Sequence, residues 1–421
     1  MATVDGPASD RDGDPAPDRD GDPASDRGSD LAPDRDGDVV PDQKGDPATG
    51  TVIGASGRPP ALTDVARLVG VSHQTVSRVV NNHPGVRPRT RERVLAGMRE
   101  LGYRPNPAAR ALATGRTRTL GVLAPAGTLY GPTSTLYAVE QAAREADYQV
   151  TVVSLHSLDP EAVRQAVGRL LAGGIDGVVA VAPLLDTADT AGVADTTGAA
   201  DTARVIDTAS VTGATGATDA LAAVAARLPL VAVEGRPDGG IATVSVDQEH
   251  GARIATEHLL AAGHRTVWHV AGPPDWYEGA GRIAGWRAAL ESAGADVHPP
   301  LAGDWTARAG FAAGCRLARE PDLTAVFVAN DQMALGVLRA LREGGRRVPE
   351  DVSVVGFDDI PEAEFFSPPL TTVRQDFAEV GRQSLRSLLE QVETGAPGGT
   401  HVVIPPELVL RRSTAPPPAL S

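Results

Sequence analysis

The sequence has almost no cysteine and no long apolar run. A single cysteine, Cys315, excludes an internal disulfide framework and a cysteine-based zinc site. Apolar runs such as ALAAVAA at 220–226 are far shorter than the roughly 20 residues that a membrane helix needs. The opening residues lack the basic and apolar regions of a signal peptide, so we expect a cytoplasmic protein.

Motifs typical of several enzyme classes are also missing. The sequence contains no H-E-x-x-H zinc motif, no G-x-S-x-G elbow and no phosphate-binding P-loop. His250 and His258 are eight residues apart on one predicted helix, a spacing that does not suit a metal site. We therefore expect a protein that is not an enzyme and that uses no metal and no cofactor.

The formal net charge of -15 hides two segments of opposite sign. Residues 1–57 hold 14 Asp against 5 Lys and Arg, a net charge of -9, and they repeat the sequence DRDGD. Such a polar segment cannot bury enough apolar area to offset its ordering entropy, so we expect a disordered acidic tail. Residues 58–119 hold 12 Arg against three acidic residues, a net charge of +9. That excess is typical of a nucleic-acid-binding module, although charge alone would also fit a merely solvated basic surface.

Apolar spacing within the basic segment predicts two helices joined by a tight turn. Thr63 and Ser72 are candidate N-caps, Gly70 supplies the turn, and Val76 and Val79 face inward. The outward face then carries side chains suited to base edges and phosphates, namely His73, Gln74, Ser77 and Arg78. A third helix is predicted from Thr90 to Leu101, with Val94, Leu95, Met98 and Leu101 on its buried side.

From Leu120 onward, short apolar runs alternate with helical stretches. Predicted strands include VVAV within 176–183 and LVAV within 228–235, and predicted helices include 248–262 and 331–344. This alternation indicates doubly wound parallel sheets, whose ligands bind at the carboxyl ends of the strands. A low-complexity Asp-Thr-Ala-Gly insert at 186–220 interrupts the pattern. We interpret it as a mobile surface loop, with a lid or partner site as the alternative.

The basic segment resembles one known family. LTDVARLVGVSHQTVSRVVN, followed by TRERVLAGMRELGYRPNPAARALATGRTRTLGV, is similar without a gap to the DNA-binding headpiece and hinge of the LacI/GalR (lactose-repressor) family. The resemblance implies that His73, Gln74 and Arg78 contact bases and that the hinge motif NPAARALA becomes a helix on DNA. Leu112 would then wedge open the minor groove, whereas in an ordinary linker it would be an unremarkable apolar residue. The full implied DNA-binding set is Leu62, Ser72, His73, Gln74, Thr75, Ser77, Arg78, Asn81, Asn106, Ala109 and Leu112.

The later motifs VANDQMALG, SVVGFDD and PPLTTVRQDF resemble the lactose-repressor subgroup of that family. The resemblance implies a sugar pocket lined by Tyr130, Glu234, Val246, Arg282, Trp305, Asn330, Asp358 and Gln375, with Thr133 as a weaker candidate. Taken alone, Arg282 could form a surface ion pair, Asn330 could cap a helix and Trp305 could be a core aromatic. Three positions depart from the subgroup: Glu234, Val246 and Glu278 stand where it has Asp, Phe and Ser.

These observations predict a small all-α helix-turn-helix headpiece plus an α/β periplasmic-binding-protein-like effector domain with two doubly wound parallel-sheet subdomains. The expected divisions are a tail at 1–57, the helix-turn-helix domain at 58–105, a hinge at 106–118, the effector domain at 119–413 and a tail at 414–421. Within the effector domain, we expect 119–245 and 376–400 to form the N-subdomain and 246–375 and 401–413 the C-subdomain.

The function expected from this architecture is a sequence-specific transcriptional regulator. We expect a repressor of carbohydrate-utilisation genes whose operator binding is controlled by a galactoside-like sugar effector. Its partners would be a pseudo-palindromic double-stranded DNA operator and, because the closing residues lack a heptad-patterned helix, a second copy in a homodimer. The alternative is a cytoplasmic sugar-binding protein or enzyme without DNA function.

Overall fold

The computed structural model describes residues 59–81, 83–156, 160–181, 214–235, 240–396 and 398–418. The chain divides into two compact units, residues 1–103 and 104–421. The predicted acidic tail at 1–57 and most of the 186–220 insert lie outside the described residues. No helix in the described part of the chain has the length and apolar character that a membrane span requires.

The first unit folds into three helices around a small valine-rich core. They are α1 (Leu62–Val69), α2 (His73–Val80) and α3 (Pro88–Glu100). Val65, Val76 and Val94 are fully buried, whereas Leu95, predicted to be buried, is exposed. Thr63 is not the N-cap of α1, because the helix begins at Leu62 and the Asp64 carboxylate accepts the Ala61 backbone N–H at 2.8 Å. Gly70 ends α1 with a left-handed φ of 66°, which permits the tight turn into α2.

The second unit begins with α4 (Pro107–Thr114) and contains two six-stranded sheets within the described residues. The first sheet is wholly parallel, in the order β11-β5-β4-β3-β1-β2. Its strands are β1 (Thr119–Pro125), β2 (Gln149–Leu155), β3 (Gly177–Val181), β4 (Leu230–Val233), β5 (Ala242–Val246) and β11 (His401–Ile404). The helices packed against this sheet are α5 (Tyr130–Glu145), α6 (Pro160–Ala172), α7 (Ala214–Ala225) and α12 (Phe377–Thr394).

The second sheet has the order β12-β10-β9-β8-β6-β7 and is parallel except for β12. Its strands are β6 (Trp268–Ala271), β7 (Leu301–Ala302), β8 (Ala325–Val328), β9 (Ser353–Asp358), β10 (Thr371–Arg374) and β12 (Glu407–Val409). The associated helices are α8 (Gln248–Ala261), α9 (Tyr277–Ser292), α10 (Ala307–Leu317) and α11 (Asp331–Glu343), and a 3-10 turn spans Pro361–Phe365.

Both sheets have an apolar core on each face, because successive side chains of a strand point to opposite sides. On β3, Val179 and Val181 belong to one core while Val178 and Ala180 belong to the other. On β8, Val326 and Val328 alternate in the same way with Ala325 and Phe327. Strands buried on both faces explain the continuous apolar runs that the sequence contains.

The described residues correct three of the predicted boundaries. Strand β11 pairs in parallel with β5, so 401–404 belong to the first sheet and not to the C-subdomain. Helix α7 begins at Ala214, so the insert does not extend to 220 as one surface loop. Residues 414 and 415 are docked, because the Ala415 backbone exchanges hydrogen bonds with Ser353 Oγ at 2.9 and 3.0 Å.

A close helix contact in the second sheet's layer provides a test of the fold. A Cβ added to Gly285 on α9 would lie 2.0 Å from the backbone oxygen of Glu249, at the start of α8. Gly285→Ala should therefore force the two helices apart and lower the free energy of unfolding by about 1–3 kcal/mol. Urea unfolding followed by circular dichroism measures this change.

The matched control is Gly168→Ala on α6, where an added Cβ meets no heavy atom within 4 Å. Because alanine is the better helix former, this variant should be unchanged or more stable by up to about 1 kcal/mol. Equal behaviour of the two variants would contradict the described packing of α8 on α9.

Candidate functional site

The second helix of the headpiece presents a polar face. Val76 and Val79 point into the core, and the helical period then leaves His73, Gln74 and Arg78 exposed. Ser72 caps the helix, since its Oγ accepts the Thr75 backbone N–H at 3.2 Å. The arrangement places His73 and Gln74 in the first turn of α2 and Arg78 in its last turn, all on the outward side, as a recognition helix requires.

The other predicted DNA-binding residues of the headpiece lie around this face. The Ser72 and Thr75 hydroxyls are 2.9 Å apart, and Asn81 Nδ2 donates to Ser77 Oγ at 3.4 Å. These hydroxyl and amide groups are exposed or half-buried, so they border the face that His73, Gln74 and Arg78 form. Leu62 is half-buried and packs against the headpiece core.

The predicted hinge forms a short helix, α4. Asn106 precedes it, and its backbone carbonyl accepts the Arg110 backbone N–H at 3.1 Å. Leu112 is 91% exposed, so its apolar side chain is not used by the core of this unit. Ala109 lies on the same helix, but its side chain is outside the described residues.

A cleft that is partly open to solvent lies where strands of both sheets end. Glu234 follows β4 of the first sheet, while Asp358 ends β9 and Asn330 follows β8 of the second. This is the edge at which doubly wound sheets bind ligands. The cleft is lined by Leu129, Tyr130, Gly131, Pro132, Thr135, Val181, Glu234, Trp276, Glu278, Arg282, Trp305, Asn330, Asp358, Gln375 and Phe377.

Arg282 is the central cation of the cleft and is only 3% exposed. Its guanidinium donates to Gln248 Oε1 at 2.9 Å, to the Ala329 carbonyl and to Asp358 Oδ1 at 3.4 Å. It also lies 3.8 Å from the centre of the Phe357 ring. Arg282 is therefore not the surface ion pair that the sequence allowed, but a buried and fully oriented group.

A chain of side-chain amides links Arg282 to both sheets. Gln248 Nε2 donates to Glu234 Oε2 at 3.2 Å and to Gln375 Oε1 at 3.0 Å. Gln375 Nε2 in turn donates to Asp358 Oδ1 at 2.7 Å. Gln248 follows β5 of the first sheet and Gln375 follows β10 of the second, and the helix after each packs on the other sheet. The network therefore joins the two subdomains where the chain crosses between them.

Trp305 and Asn330 occupy one side of the cleft. Trp305 is 6% exposed and packs edge-on to Trp276, with ring centres 6.0 Å apart. Asn330 does cap α11, since its Oδ1 accepts the Met333 backbone N–H at 2.9 Å, and its Nδ2 donates to the Trp305 carbonyl at 3.1 Å. Both residues thus have a packing or capping role and also line the cleft.

Two of the sequence-predicted pocket residues lie elsewhere. The Val246 side chain is fully buried in the core of the first sheet, and only its backbone N–H reaches the site, donating to Glu234 Oε1 at 3.0 Å. Thr133 lines a separate groove beside α5. Tyr130 does line the cleft, packed edge-on against Phe377.

Several cleft residues escaped the sequence analysis. Gln248 bonds to three of the site's side chains, Glu234, Gln375 and Arg282, yet it follows β5, a strand that the apolar pattern did not predict. No motif or spacing in the sequence marked Trp276 and Phe377 as ligand-binding residues; they are only aromatic residues at the starts of helices. Glu278 was noted only as a departure from the resembling subgroup, although it lines the cleft.

Burial governs the acidity of the carboxyl groups in the cleft. It raises the pKa of Asp358 to about 6, against the opposing effect of Arg282. It raises the pKa of Glu234 to about 7, although the Val246 N–H and Gln248 both favour the charged form. Burial and the Glu234 charge together raise the pKa of Glu278 well above its ordinary value. The site therefore holds more carboxyl groups than Arg282 can neutralise.

Comparison with known proteins agrees with this architecture. A model of the bacterial regulatory proteins of the lacI family matches residues 61–106, and a model of the periplasmic binding protein-like domain matches 256–414. The lactose operon repressor of Escherichia coli (strain K12) is 34% identical over 361 residues, covering 86% of this chain and 92% of that protein. The transcriptional regulator CelR of Thermobifida fusca is 35% identical, covering 85% and 98%.

Solved structures give the same picture. The lac repressor dimer bound to operator and the anti-inducer ONPF matches with a TM-score of 0.68 at 34% identity, covering 85% of this chain and 100% of that one. A CelR–cellobiose complex matches with a TM-score of 0.57 at 32% identity, covering 84% and 99%. The chain belongs to the LacI family of bacterial regulatory proteins, with a helix-turn-helix headpiece and a periplasmic-binding-protein-like domain.

The raised pKa of Asp358 predicts a pH-dependent stability. An acid whose folded pKa of about 6 exceeds its unfolded value destabilises the fold as pH rises from about 4 to 6. Asp358→Asn keeps an oxygen for Gln375 and Arg282 but cannot ionise. In calorimetry, the variant should melt with wild type near pH 4 and several degrees above it at pH 7.5.

The control for this experiment is Asp322→Asn, which changes an exposed carboxylate and should track wild type at both pH values. If Asp358→Asn melted below wild type at pH 7.5, attraction to Arg282 would outweigh the burial of the carboxylate. That result would contradict the charge imbalance described for the cleft.

Proposed function

We propose that this protein is a transcriptional repressor of carbohydrate-utilisation genes, released from or held on its operator by a sugar effector. The observation that carries the proposal is the presence in one chain of an exposed recognition face on α2 and a polar, aromatic-lined cleft between two sheets. Family membership joins the two, since the lac repressor relative binds operator and CelR binds cellobiose.

The headpiece would act in the major groove of DNA. We assign base contacts to His73, Gln74 and Arg78, because amide and guanidinium groups pair with adenine and guanine edges. The small polar side chains around them suit phosphate oxygens. The proposed phosphate set is Ser72, Thr75, Ser77 and Asn81, with Leu62 and Asn106 at the margins of the interface.

The hinge helix would act at the operator centre. Leu112 is apolar and 91% exposed, as a side chain that inserts between base steps must be. Two hinge helices meet at such a centre only if two chains bind together, so we propose a homodimer on a pseudo-palindromic site. The lac repressor relative is a dimer on its operator.

The cleft would bind a sugar or glycoside. Trp305 and Trp276 offer apolar ring faces, while Arg282, Asp358 and Gln375 offer donors and acceptors at their edge. A neutral hydroxyl-rich ring needs this combination, and cellobiose occupies the CelR relative. We propose a binding role without catalysis, in a protein that acts in the bacterial cytoplasm.

Selection of bound duplexes from a randomised DNA library tests the DNA-binding proposal without a known operator. The enriched duplex should be an inverted repeat, with the base step into which Leu112 inserts at its centre. Arg78→Ala should weaken binding to it by about 5- to 150-fold, since a bidentate base contact contributes about 1–3 kcal/mol. Mobility-shift titration measures the change.

Arg316→Ala on α10 is the charge-matched control, because it removes one exposed arginine from the effector domain. It should leave the affinity for the selected duplex unchanged. Equal losses for the two variants would mean that Arg78 acts only through general charge, and failure to enrich any sequence would overturn the regulatory function.

A separate prediction concerns the hinge. Leu112→Ala removes the exposed wedge but keeps the helix-forming tendency of α4. It should weaken binding to the selected inverted repeat at least tenfold and leave binding to a single isolated half-site unchanged. Equal affinity of wild type and variant for the full repeat would show that Leu112 is an ordinary linker residue.

A further inference from the structure

Glu278 is a buried acid with one carboxyl oxygen that the described fold leaves unpaired. It is the second residue of α9, is 9% exposed and lines the cleft, and its Oε2 has no hydrogen-bond partner among the described residues. A buried acceptor without a partner costs stability. The unliganded fold therefore gives no reason for a glutamate at this position, and a bound ligand could supply one.

The position of Glu278 is fixed by its neighbour. A Cβ added to Gly279 would lie 2.0 Å from the Pro273 backbone oxygen, so the first turn of α9 packs directly on the preceding loop. The helix start therefore cannot shift to bring Glu278 toward solvent. The orphaned oxygen stays at the wall of the cleft.

The charged groups around Glu278 do not pair with its Oε2. Glu234 and Asp358 are acids that repel it, and Arg282 donates to Gln248, Ala329 and Asp358 instead. The same cleft contains an unused donor, because Trp305 Nε1 is also buried without a partner. One open acceptor and one open donor beside aromatic rings match the hydroxyl groups of a neutral sugar.

We propose that Glu278 is a specificity-determining residue of the cleft, whose carboxyl group accepts a hydrogen bond from a hydroxyl group of a neutral sugar ligand. This inference rests on the sugar-binding part of the proposed function. A sugar lacking a hydroxyl at that place would leave the buried acid unpaired and would be rejected.

A structural role for Glu278 is the competing explanation. A carboxylate in the first turn of a helix is favourable to the helix dipole, and the Glu278 backbone N–H bonds to its carboxyl group. The two roles predict opposite changes in stability. If Glu278 serves the ligand, Glu278→Gln should raise the melting temperature of the unliganded protein at pH 8, whereas a helix-stabilising Glu278 would make it fall.

The experiment uses the full chain and isothermal titration with cellobiose, lactose, glucose, galactose and glucosamine. We expect at least one neutral sugar to bind wild type, and Glu278→Gln to lose at least tenfold in affinity for it while keeping wild-type affinity for the selected DNA duplex. The melting temperature without sugar should rise. Asp176→Asn is the control, because both Asp176 oxygens accept hydrogen bonds from Thr117 and Arg118, so this variant should melt lower.

Three results would overturn the proposal. Unchanged sugar affinity in Glu278→Gln would remove Glu278 from recognition, and a lower melting temperature with unchanged selectivity would make it a helix-stabilising residue. Binding of glucosamine alone would make the ligand a cation. A wild-type protein that binds the selected duplex but none of the five sugars would overturn the sugar assignment while the DNA-binding function stands.

Discussion

The buried hydrogen-bond network centred on Arg282 is the constraint on which the effector domain depends. It joins Glu234 of the first sheet to Asp358 of the second through two glutamines that sit beside the crossings. Each partner is buried, so removing one bond leaves another polar group unsatisfied. The two sheets cannot change their relative orientation without breaking or re-forming this network, and a ligand in the cleft acts on the same atoms.

The network also connects the cleft to the hinge side of the domain. Arg116, just after α4, donates to the Val392 carbonyl at 3.1 Å, and Asp176 accepts the backbone N–H groups of Thr117 and Arg118 at 2.8 Å. The end of the hinge is thereby fixed to the first sheet and to α12, which itself begins two residues after Gln375. A ligand that changes the chain conformation at Gln248 and Gln375 can therefore shift the position of α12 and the first sheet, and with them the conformation of the hinge.

The sequence predicted most of the elements but only part of the site. Strands such as VVAV at 178–181 are continuous apolar runs because both of their faces are buried, and their ends located Glu234, Asn330 and Asp358. Strands β5, β10 and β11 are short and rich in Thr, Ser or His, so no periodic signal marked them, and Gln248 was missed with them. The resemblance placed Val246 in the pocket because the subgroup has a Phe at that position. The shorter Val side chain is buried in the core of the first sheet instead. The DNA-binding assignments remain predictions, since they depend on a partner molecule.

Sugar binding can regulate DNA binding only if the cleft and the DNA-binding face are energetically coupled. Coupling is reciprocal, so the sugar affinity must differ between the free protein and the protein saturated with its selected duplex. Titration calorimetry of the bound sugar against both forms measures this directly. We expect the two dissociation constants to differ at least about fivefold, with operator affinity shifted by the same factor at saturating sugar. Identical sugar affinities in the two forms would contradict this coupling.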